Sequence, residues 1–564
     1  MVIEARPRAA LGHGVSMVGA ATAPPTRVGA PPGAGAGQDR DMATPVHQDP
    51  AASGLPAHEI DAEFLALPRP ALADAALQTA RDLGATHADI RIERLRDSSL
   101  SFRDAALESR HEGATVGLAV RVVHGGTWGF AAGVDLTPDE AVRLAREAVE
   151  MARVAAPLNS EPVELAPEPA HADAVWVSAY AADPFAIDAR ERIERVGGLC
   201  RTLFAAQDVD HVEGRFEAVM ENKYYADLAG TSTTQQRVRV LSQIEATRVD
   251  PGGGFETMRT IAPPVGRGWE WMVAGPAAGC WDWDGEIALI PGLLAEKAKA
   301  SSVEPGPYDL VIDPSNLWLT IHESVGHATE LDRALGYEAA YAGTSFATLD
   351  QLGALRYGSP AMTVTGDRTA LHGLATIGYD DEGVQTRRFD IVRDGTLVGY
   401  QLDRAMAARN ANVLGVERSN GCAFADSPGH VPIQRMANVS LLPAPGGPST
   451  EELISRVDRG IYIVGDKSWS IDMQRYNFQF TGQRFYEIRS GRIVGQLRDV
   501  AYQATTTDFW GSLEAVGGPQ TYLLGGAFNC GKGQPGQVAA VSHGSPATLF
   551  RGVNVLNTRR EAGR

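Results

Sequence analysis

The first third of the chain alternates between helical and strand-like spacing of apolar residues. Apolar positions recur near the helical period over residues 69–84, at Leu72, Ala76, Leu77 and Leu83. Thr137-Pro138-Asp139-Glu140 has the form of a capping box with proline at the first helical position, and it predicts a helix to about Ala155. Between these helices, turn residues such as Gly125-Gly126 separate short strand-like segments at 89–95, 100–103, 107–111, 115–123 and 127–132. Helix, antiparallel meander and helix predict an α+β domain over residues 60–156.

The next stretch, residues 157–304, is predicted to be a linker followed by a middle α+β region. Proline and alanine are frequent up to residue 183, as in a linker. A helix at about 186–206, strands within 212–247 and a second helix at about 285–301 follow. Pro251-Gly252-Gly253-Gly254 marks a turn or loop between them.

Residues 305–564 are predicted to form a larger, mainly antiparallel β domain. A strand at 308–312 leads into a helix that contains two histidines. Asp394-Gly395 between strands 388–392 and 396–401, and Ser490-Gly491 between strands 485–489 and 492–497, are typical of β-hairpins. Short helices at about 449–457 and 506–515 interrupt the strands. The fold class predicted for the whole chain is therefore α+β, with the histidine helix carried by the C-terminal domain.

Composition restricts the partners and the cellular location of the protein. The 564 residues carry a formal charge of −18, which argues against a nucleic-acid-binding or anionic-membrane surface. No run approaches the ~20 apolar residues that span a bilayer. The four cysteines are scattered, which suits a reducing compartment. Residues 1–58 are rich in Pro, Ala and Gly and lack a secretory signal core, so we expect a disordered arm on a cytoplasmic protein.

The segment His322-Glu323-Ser324-Val325-Gly326-His327 holds the most informative chemistry. Its histidines are five residues apart, and an ideal α-helix separates such positions by about 140°. They could bind one metal ion only if the helix widened, as in a π-type turn, or broke. Gly326 would make such a distortion cheap. The spacing therefore predicts a distorted helix at residues 325–327.

If both histidines bind one ion, Glu323 could take a proton from a metal-bound water. A catalytic zinc usually has three protein ligands, so a third must come from elsewhere, with Cys, His, Asp and Glu as candidates. Cys530 is the best candidate, because it lies in a glycine-rich stretch that can approach a site closely. The nearby Lys532 would favour its thiolate form.

Other interpretations of the same residues exist. The two histidines could be hydrogen-bonded separately on two polar faces of a helix, and Cys530 could be a small buried apolar residue. Gly526-x-x-x-x-Gly531-Lys532 matches the start of a phosphate-binding P-loop. Gly533 stands where that motif needs Ser or Thr, and Pro535 follows closely, so nucleotide binding is disfavoured.

Together, these motifs resemble the TldD/PmbA family of metallopeptidases, and specifically its metal-bearing TldD-type members. The H-E-x-x-x-H segment is similar to that family's helix, and Cys530-Gly531-Lys532-Gly533-Gln534-Pro535 to its late cysteine loop. Further similarity lies in four shorter stretches: Ala88-Asp89-Ile90-Arg91, Gly126-Thr127-Trp128-Gly129-Phe130, Asp380-Asp381-Glu382-Gly383 and Arg435-Met436-Ala437-Asn438. The resemblance covers roughly residues 65–560.

The resemblance implies a zinc-dependent peptidase that acts on unfolded polypeptides or modified peptides. It implies His322, His327 and Cys530 as Zn²⁺ ligands and Glu323 as the catalytic base. It also implies pairing with a PmbA-like homologous subunit, for which a homodimer is the alternative. A non-catalytic or regulatory subunit, with a structural metal or none, is the alternative function.

Four further polar residues could support the site. Glu330 and Asp332 could orient the metal histidines or could be solvated on a helix surface. Arg435 and Asn438 could contact a substrate backbone, although structural hydrogen bonding is the more ordinary role for them.

Overall fold

The computed structural model describes residues 55–56, 58–250, 252–533 and 535–561. Nearly all of the predicted arm, residues 1–58, lies outside the described residues. The helices, in chain order, are α1 Ala62–Leu65, α2 Arg69–Asp82, α3 Pro138–Ala155, α4 Ala189–Phe204, α5 Glu270–Val273, α6 Trp283–Lys299, α7 Pro314–Ile321, α8 Leu331–Ala334, α9 Arg404–Leu414, α10 Thr450–Ser455, α11 Thr506–Gly511 and α12 Thr558–Glu561. Within the described part of the chain, no helix is long and apolar enough to cross a membrane.

The first sheet is built from long antiparallel strands. Its strands are β1 His87–Arg103, β2 Ala106–His124, β3 Thr127–Gly133, β4 Ala174–Val177, β5 His211–Asp227, β6 Ser232–Val249 and β7 Phe255–Arg259. Their order is β3-β2-β1-β5-β6-β4, with β7 beside β6 and the β4–β6 pair parallel. The short strands predicted at 89–95 and 100–103 form one continuous β1, and those at 107–111 and 115–123 form one β2, because the polar residues between them continue the ladder.

Two helices cover one face of this sheet. Alanines and leucines of α2 and α3 pack against β1 and β2 in one apolar cluster. The Thr137 hydroxyl accepts from the Glu140 amide, as in the predicted capping box. Glu140 pairs with Arg143, however, and not with the Thr137 backbone. Strand β5, from the predicted middle region, pairs with β1 of the predicted N-terminal domain and, on its other side, with β6, and the domain division itself stays a prediction.

The remaining strands belong to the C-terminal half. They are β8 Ser301–Ser302, β9 Gly306–Ile312, β10 Val364–Asp367, β11 Arg388–Arg393, β12 Thr396–Leu397, β13 Ala423–Phe424, β14 Ile433–Gln434, β15 Asn438–Leu441, β16 Arg459–Ile471, β17 Asn477–Arg489, β18 Arg492–Arg498, β19 Val500–Thr505, β20 Leu513–Val516, β21 Leu523–Lys532, β22 Gln537–Ser545 and β23 Thr548–Asn557. Most pair antiparallel, and the predicted α+β class with a mainly antiparallel C-terminal half is confirmed.

A closed ring of strands forms the centre of this half. The order β16-β9-β23-β19-β17 returns to β16, because β17 also pairs with β16. Helix α7 leaves the ring directly after β9 and lies in the largest apolar core, which includes Leu317, Ile321 and Val325. The start of the histidine segment is therefore anchored to the strand ring.

Both predicted hairpins form. Asp394-Gly395 and Ser490-Gly491 all have positive φ, as a tight two-residue turn requires. Strand β12 is shorter than predicted, because the amides of Val398 and Gly399 both turn to the Ile391 carbonyl and the Gln401 amide bonds the backbone at Thr329. The predicted helix 506–515 ends at Gly511, and residues 513–516 form β20 against β23.

Candidate metal centre

The histidine segment contains the predicted distortion. Helix α7 begins after Asp313, whose carboxylate caps the Ser315 amide, and ends at Ile321. Residues His322–Gly326 form a π-helical turn, in which the His327 amide donates to the His322 carbonyl five residues earlier. The extra residue in the turn brings the two imidazoles together, with ring centroids 4.7 Å apart. The interpretation with two separate polar faces is thereby excluded.

Gly326 is needed for a different reason from the predicted one. Its φ of −54° and ψ of −62° are helical and open to any residue. A Cβ atom at this position would lie 2.5 Å from the Met436 Sδ. Gly326 therefore lets the end of the Met436 side chain pack closely, and its backbone conformation does not require glycine. The Gln401 amide donates to the Gly326 carbonyl at 2.7 Å and satisfies one of the carbonyls freed by the distortion.

The β21–β22 hairpin returns Cys530 to the histidines. Its Sγ lies 3.5 Å from the His327 Nε2, although the residues are 203 positions apart. Arg435 fixes the hairpin by donating to the carbonyls of Cys530 at 2.6 Å and Gln537 at 3.1 Å. Burial raises the pKa of the Cys530 thiol to about 11. Metal binding would therefore have to displace the thiol proton.

His322, His327 and Cys530 form the group of described residues that could hold a metal ion. Their nearest N and S atoms all lie within 4.8 Å of one another, and all three side chains are buried. Bonds of about 2.0–2.3 Å around a tetrahedral zinc place ligand atoms roughly 3.5 Å apart, which is the distance already present between the Cys530 Sγ and the His327 Nε2. Two imidazoles and one thiolate, with a fourth position left open, match the donor set of a catalytic zinc site. The assignment as ligands stays a prediction.

A third histidine, His543, contacts the centre from behind. Its Nδ1 lies 2.9 Å from the Val439 carbonyl, which can only accept, so this nitrogen carries the proton. Burial lowers the pKa of His543 to about 4, so the ring is neutral and its Nε2 is an acceptor. The His322 Nδ1, at 2.7 Å from that Nε2, must then be the donor. This chain of bonds leaves the His322 Nε2 lone pair available for a metal.

Glu330 accepts a hydrogen bond from the His327 ring, as His543 does from the His322 ring. The His327 Nδ1 donates to a Glu330 carboxylate oxygen at 2.8 Å. Burial alone would raise the pKa of Glu330, but Lys532 and then His327 outweigh it and keep the carboxylate ionised. Burial also lowers the pKa of His327 to about 3, so its ring is neutral, with an unprotonated Nε2 that faces the Cys530 Sγ. Glu330 thus lies where the sequence predicts a supporting residue.

The Lys532 side chain lies among the carboxylates beside His327. Its ammonium donates to Glu330 at 3.1 Å, to Asp332 at 2.8 Å and to the Gln434 amide oxygen at 3.1 Å, and it is fully buried. It neutralises carboxylates behind His327. Lys532 lowers the pKa of the Cys530 thiol, in the expected direction, but burial outweighs it and the thiol pKa stays raised. Asp332 supports Lys532 and does not bond either metal histidine.

Glu323 lies at the start of the π-turn, beside His322. Its carboxylate forms a buried ion pair with the Arg475 guanidinium. Burial raises the pKa of Glu323, although Arg475 opposes the shift. Arg475 is at a tight turn with φ of 63°, between β16 and β17. A carboxylate with a raised pKa is a stronger base than an ordinary glutamate.

Two further predictions can be compared with the structure. The Asn438 side-chain oxygen accepts from the Ala375 and Ser542 amides and its NH₂ donates to the Asp367 carbonyl, so the side chain links strands β10 and β22, as in the structural role expected for it. Residues 526–532 lie in strand β21 of a hairpin and not in a loop that precedes a helix. This geometry excludes the P-loop interpretation.

Sequence reasoning missed His543 and Arg475. Each is far along the chain from its partner, by 221 positions from His322 and 152 positions from Glu323. His543 sits within the buried strand β22, and Arg475 in an ordinary turn. A search for polar residues in otherwise apolar strand segments would have found His543 but not its partner.

Comparison with known proteins identifies the family. The model of the PmbA/TldA metallopeptidase C-terminal domain matches residues 305–557, and that of PmbA/TldA metallopeptidase domain 1 matches residues 88–152. The chain belongs to the TldD/PmbA family. Its relatives are named metalloproteases, so it is a member of a metallopeptidase family.

Relatives of the TldD/PmbA family cover most of the chain. A metalloprotease of Methanothermobacter thermautotrophicus is 27% identical over 84% of this chain and 96% of its own length. A zinc metalloprotease TldD homolog of Saccharolobus solfataricus is 22% identical over 83% and 96%. The crystal structure of TldE from Thermococcus kodakarensis matches with a TM-score of 0.61 at 14% identity, over 85% of this chain and 98% of that chain. The last match supports the fold.

Proposed function

We propose that this protein is a zinc-dependent peptidase of unfolded polypeptides or modified peptides. The observation that supports it is the convergence of His322, His327 and Cys530 through a π-turn that also holds Glu323 beside them. One relative is named a zinc metalloprotease, which favours zinc as the metal. Zinc, when bound, would polarise the peptide carbonyl and lower the pKa of a bound water to about 7.

The residues of the chain would move the proton. A Glu323 carboxylate oxygen accepts a proton from the attacking water, whose oxygen bonds the peptide carbonyl carbon. As the carbon–nitrogen bond breaks, Glu323 gives that proton to the departing amide nitrogen. Arg475 holds the Glu323 carboxylate in place, and the hydrogen bonds of His543 and Glu330 hold both imidazoles with Nε2 exposed to the metal position.

Glu323→Gln tests this mechanism. We expect the variant to retain stoichiometric zinc, measured by mass spectrometry of the metal, because Glu323 is not a ligand. Cleavage of unfolded casein and of short peptides should fall by about 10²–10⁴-fold, the usual contribution of a general base. Glu150→Gln, at an exposed position of α3, is the matched control and should cleave normally. Full activity of zinc-loaded Glu323→Gln would exclude Glu323 as the base.

A non-catalytic subunit is the second candidate, and the Glu323–Arg475 ion pair favours it, since a paired carboxylate is less free to take a proton. Stoichiometric zinc without cleavage by the unmodified protein, alone and with a PmbA-like subunit, would support this alternative.

We further propose that the chain works in the cytoplasm and pairs with a PmbA-like homologous subunit or with a second copy. Its family and its acidic composition support this proposal. Mass determination in solution, with and without the homologous chain, separates a monomer from a homodimer and a heterodimer. Cell fractionation tests the location.

A further inference from the structure

Four cationic side chains act on the pKa values of the candidate centre, and they differ in accessibility. Lys532, Arg333 and Arg435 are each at most 1% exposed. Their side chains bind carboxylates or backbone carbonyls behind the centre. The Arg475 side chain is 13% exposed, and its partner is Glu323, the proposed base. Of these four cations, Arg475 is therefore the one that a bound peptide can reach.

The backbone at Arg475 is fixed before any ligand binds. Arg475 lies in the turn 472–476 between β16 and β17, with φ of 63°. The Asp472 carboxylate accepts hydrogen bonds from three backbone amides that follow it, at 2.9–3.0 Å. The Thr506 hydroxyl donates to the Arg475 carbonyl at 2.8 Å. A guanidinium held in this way needs little reorganisation when charge develops beside it.

The Arg475 guanidinium has more donors than Glu323 uses. A guanidinium carries five N–H groups in one plane, and one Nη of Arg475 binds the Glu323 carboxylate. Its Nε is buried and has no hydrogen-bond partner among the described residues. Burial lowers the pKa of His322 and His327, and the positive charge of Arg475 adds to the decrease at both rings. The charge of Arg475 therefore acts on both histidines as well as on Glu323.

We propose that Arg475 is a second catalytic residue, which donates a hydrogen bond to the carbonyl oxygen of the cleaved peptide bond. The proposal rests on the proposed peptidase function. When the water oxygen bonds the carbonyl carbon, the π electrons of the carbonyl move to its oxygen and the water proton moves to Glu323. Arg475 keeps all its protons. When the carbon–nitrogen bond breaks, the carbonyl re-forms and Glu323 gives its proton to the departing nitrogen.

This step moves negative charge from one partner of Arg475 to another. Protonation weakens the ion pair between Glu323 and Arg475 at the moment when the substrate oxygen becomes negative. An interaction speeds a reaction only if it is stronger in the transition state than before it, and a hydrogen bond to this oxygen meets that condition. One such donor usually contributes about 10²–10³-fold to kcat.

The test separates contact with the oxygen from support of Glu323. A peptide with a phosphinic group in place of the cleaved amide presents a tetrahedral, negatively charged centre, and its Kd for zinc-loaded protein is measured by calorimetry. In protein that already carries Glu323→Gln, adding Arg475→Ala should weaken this binding by about 10²-fold, because the lost contact is with the oxygen. The Kd of the corresponding amide peptide should change by less than about threefold.

Two further variants complete the comparison, again in protein that carries Glu323→Gln. Arg475→Lys keeps the charge without the planar fork and should retain part of the affinity for the phosphinic peptide. Arg492→Ala, at an exposed position of β18, is the matched control and should bind both peptides as before. Urea unfolding of each variant checks that it is folded.

The binding measurement also distinguishes failure of this proposal from failure of the proposed function. Weaker phosphinic binding without Arg475 supports its contact with the oxygen even if no peptide is cleaved. Equal phosphinic binding by folded protein with and without Arg475 overturns the proposal and leaves the peptidase proposal standing, because Arg475 then acts only through Glu323. Absence of phosphinic binding when Arg475 is present overturns it as well.

Discussion

Replacing His543 by leucine removes a hydrogen-bond acceptor from His322, a candidate metal ligand, without touching the candidate metal position. His543 is fully buried, and its Nε2 lies 2.7 Å from the His322 Nδ1. Leucine fills comparable space but cannot accept the proton. The His322 Nδ1–H and the Val439 carbonyl would then both lack a partner in the interior. The His322 ring would also lose the contact that fixes its tautomer.

The size of the effect follows from these contacts. An unpaired buried donor costs about 1–3 kcal/mol. Loss of a group that orients a metal ligand usually weakens metal binding by about 10–100-fold, which is about 1.4–2.8 kcal/mol. The two estimates overlap, so we expect the zinc Kd of His543→Leu to rise by about 10–100-fold. His543→Gln offers an amide oxygen as acceptor and should stay within about threefold of wild type by the same reasoning.

Competition with a chelator of known affinity, at fixed pH, measures the zinc Kd. Urea unfolding of each metal-free variant checks that the fold survives. His111→Leu, an exposed histidine 64% accessible, is the control and should bind zinc normally. A folded His543→Leu protein that binds zinc as tightly as wild type would refute the role given to His543.

Three further outcomes are expected. Lys532→Met should lower the free energy of unfolding by about 3–5 kcal/mol in urea titrations, because it leaves buried carboxylates without their cationic partner. Lys467→Met, at an exposed position, should have little effect. Gly326→Ala should cost about 1–3 kcal/mol through its clash with Met436, and combining it with Met436→Ala should recover part of that loss; a Gly326→Ala protein as stable as wild type would contradict the packing argument. Burial lowers the pKa of His372 to about 4, below the unfolded value near 6.5, so its stabilising effect is complete above pH 6.5 and is lost as pH falls towards 4. Between pH 7.5 and 5 this His372 contribution lowers the free energy of unfolding by about 2 kcal/mol. His372→Asn should remove that contribution from the measured pH dependence of unfolding.

Much of the fold follows from short-range patterns. The hairpin turns and the long helices lie where turn residues and apolar spacing predict them. Errors arose where tertiary contacts override local preference. Residues 513–516 form a strand because β23 offers them a partner, and residues 398–401 leave the β12 strand because Gln401 bonds the distorted helix. The joining of β5 to β1 across the predicted domain boundary has no local signal.

The sequence by itself predicted a widened or broken helix at residues 325–327, and the structure has a π-turn at His322–Gly326. Two histidines five residues apart can share an ion only if one residue is added to the turn, and that constraint is entirely local. The sequence offered Cys530 as the best candidate for a third ligand, and the tertiary structure alone decided that Cys530 meets the histidines and that His543 and Arg475 join them. Cys530, His543, Lys532 and Arg475 reach the centre from far along the chain, and their positions depend on how the strand ring closes and how the β21–β22 hairpin packs. The physical reason is the separation of the residues along the chain. Backbone geometry fixes the relative positions of residues a few positions apart, whereas contacts between residues about 150 to 220 positions apart depend on sheet register and core packing.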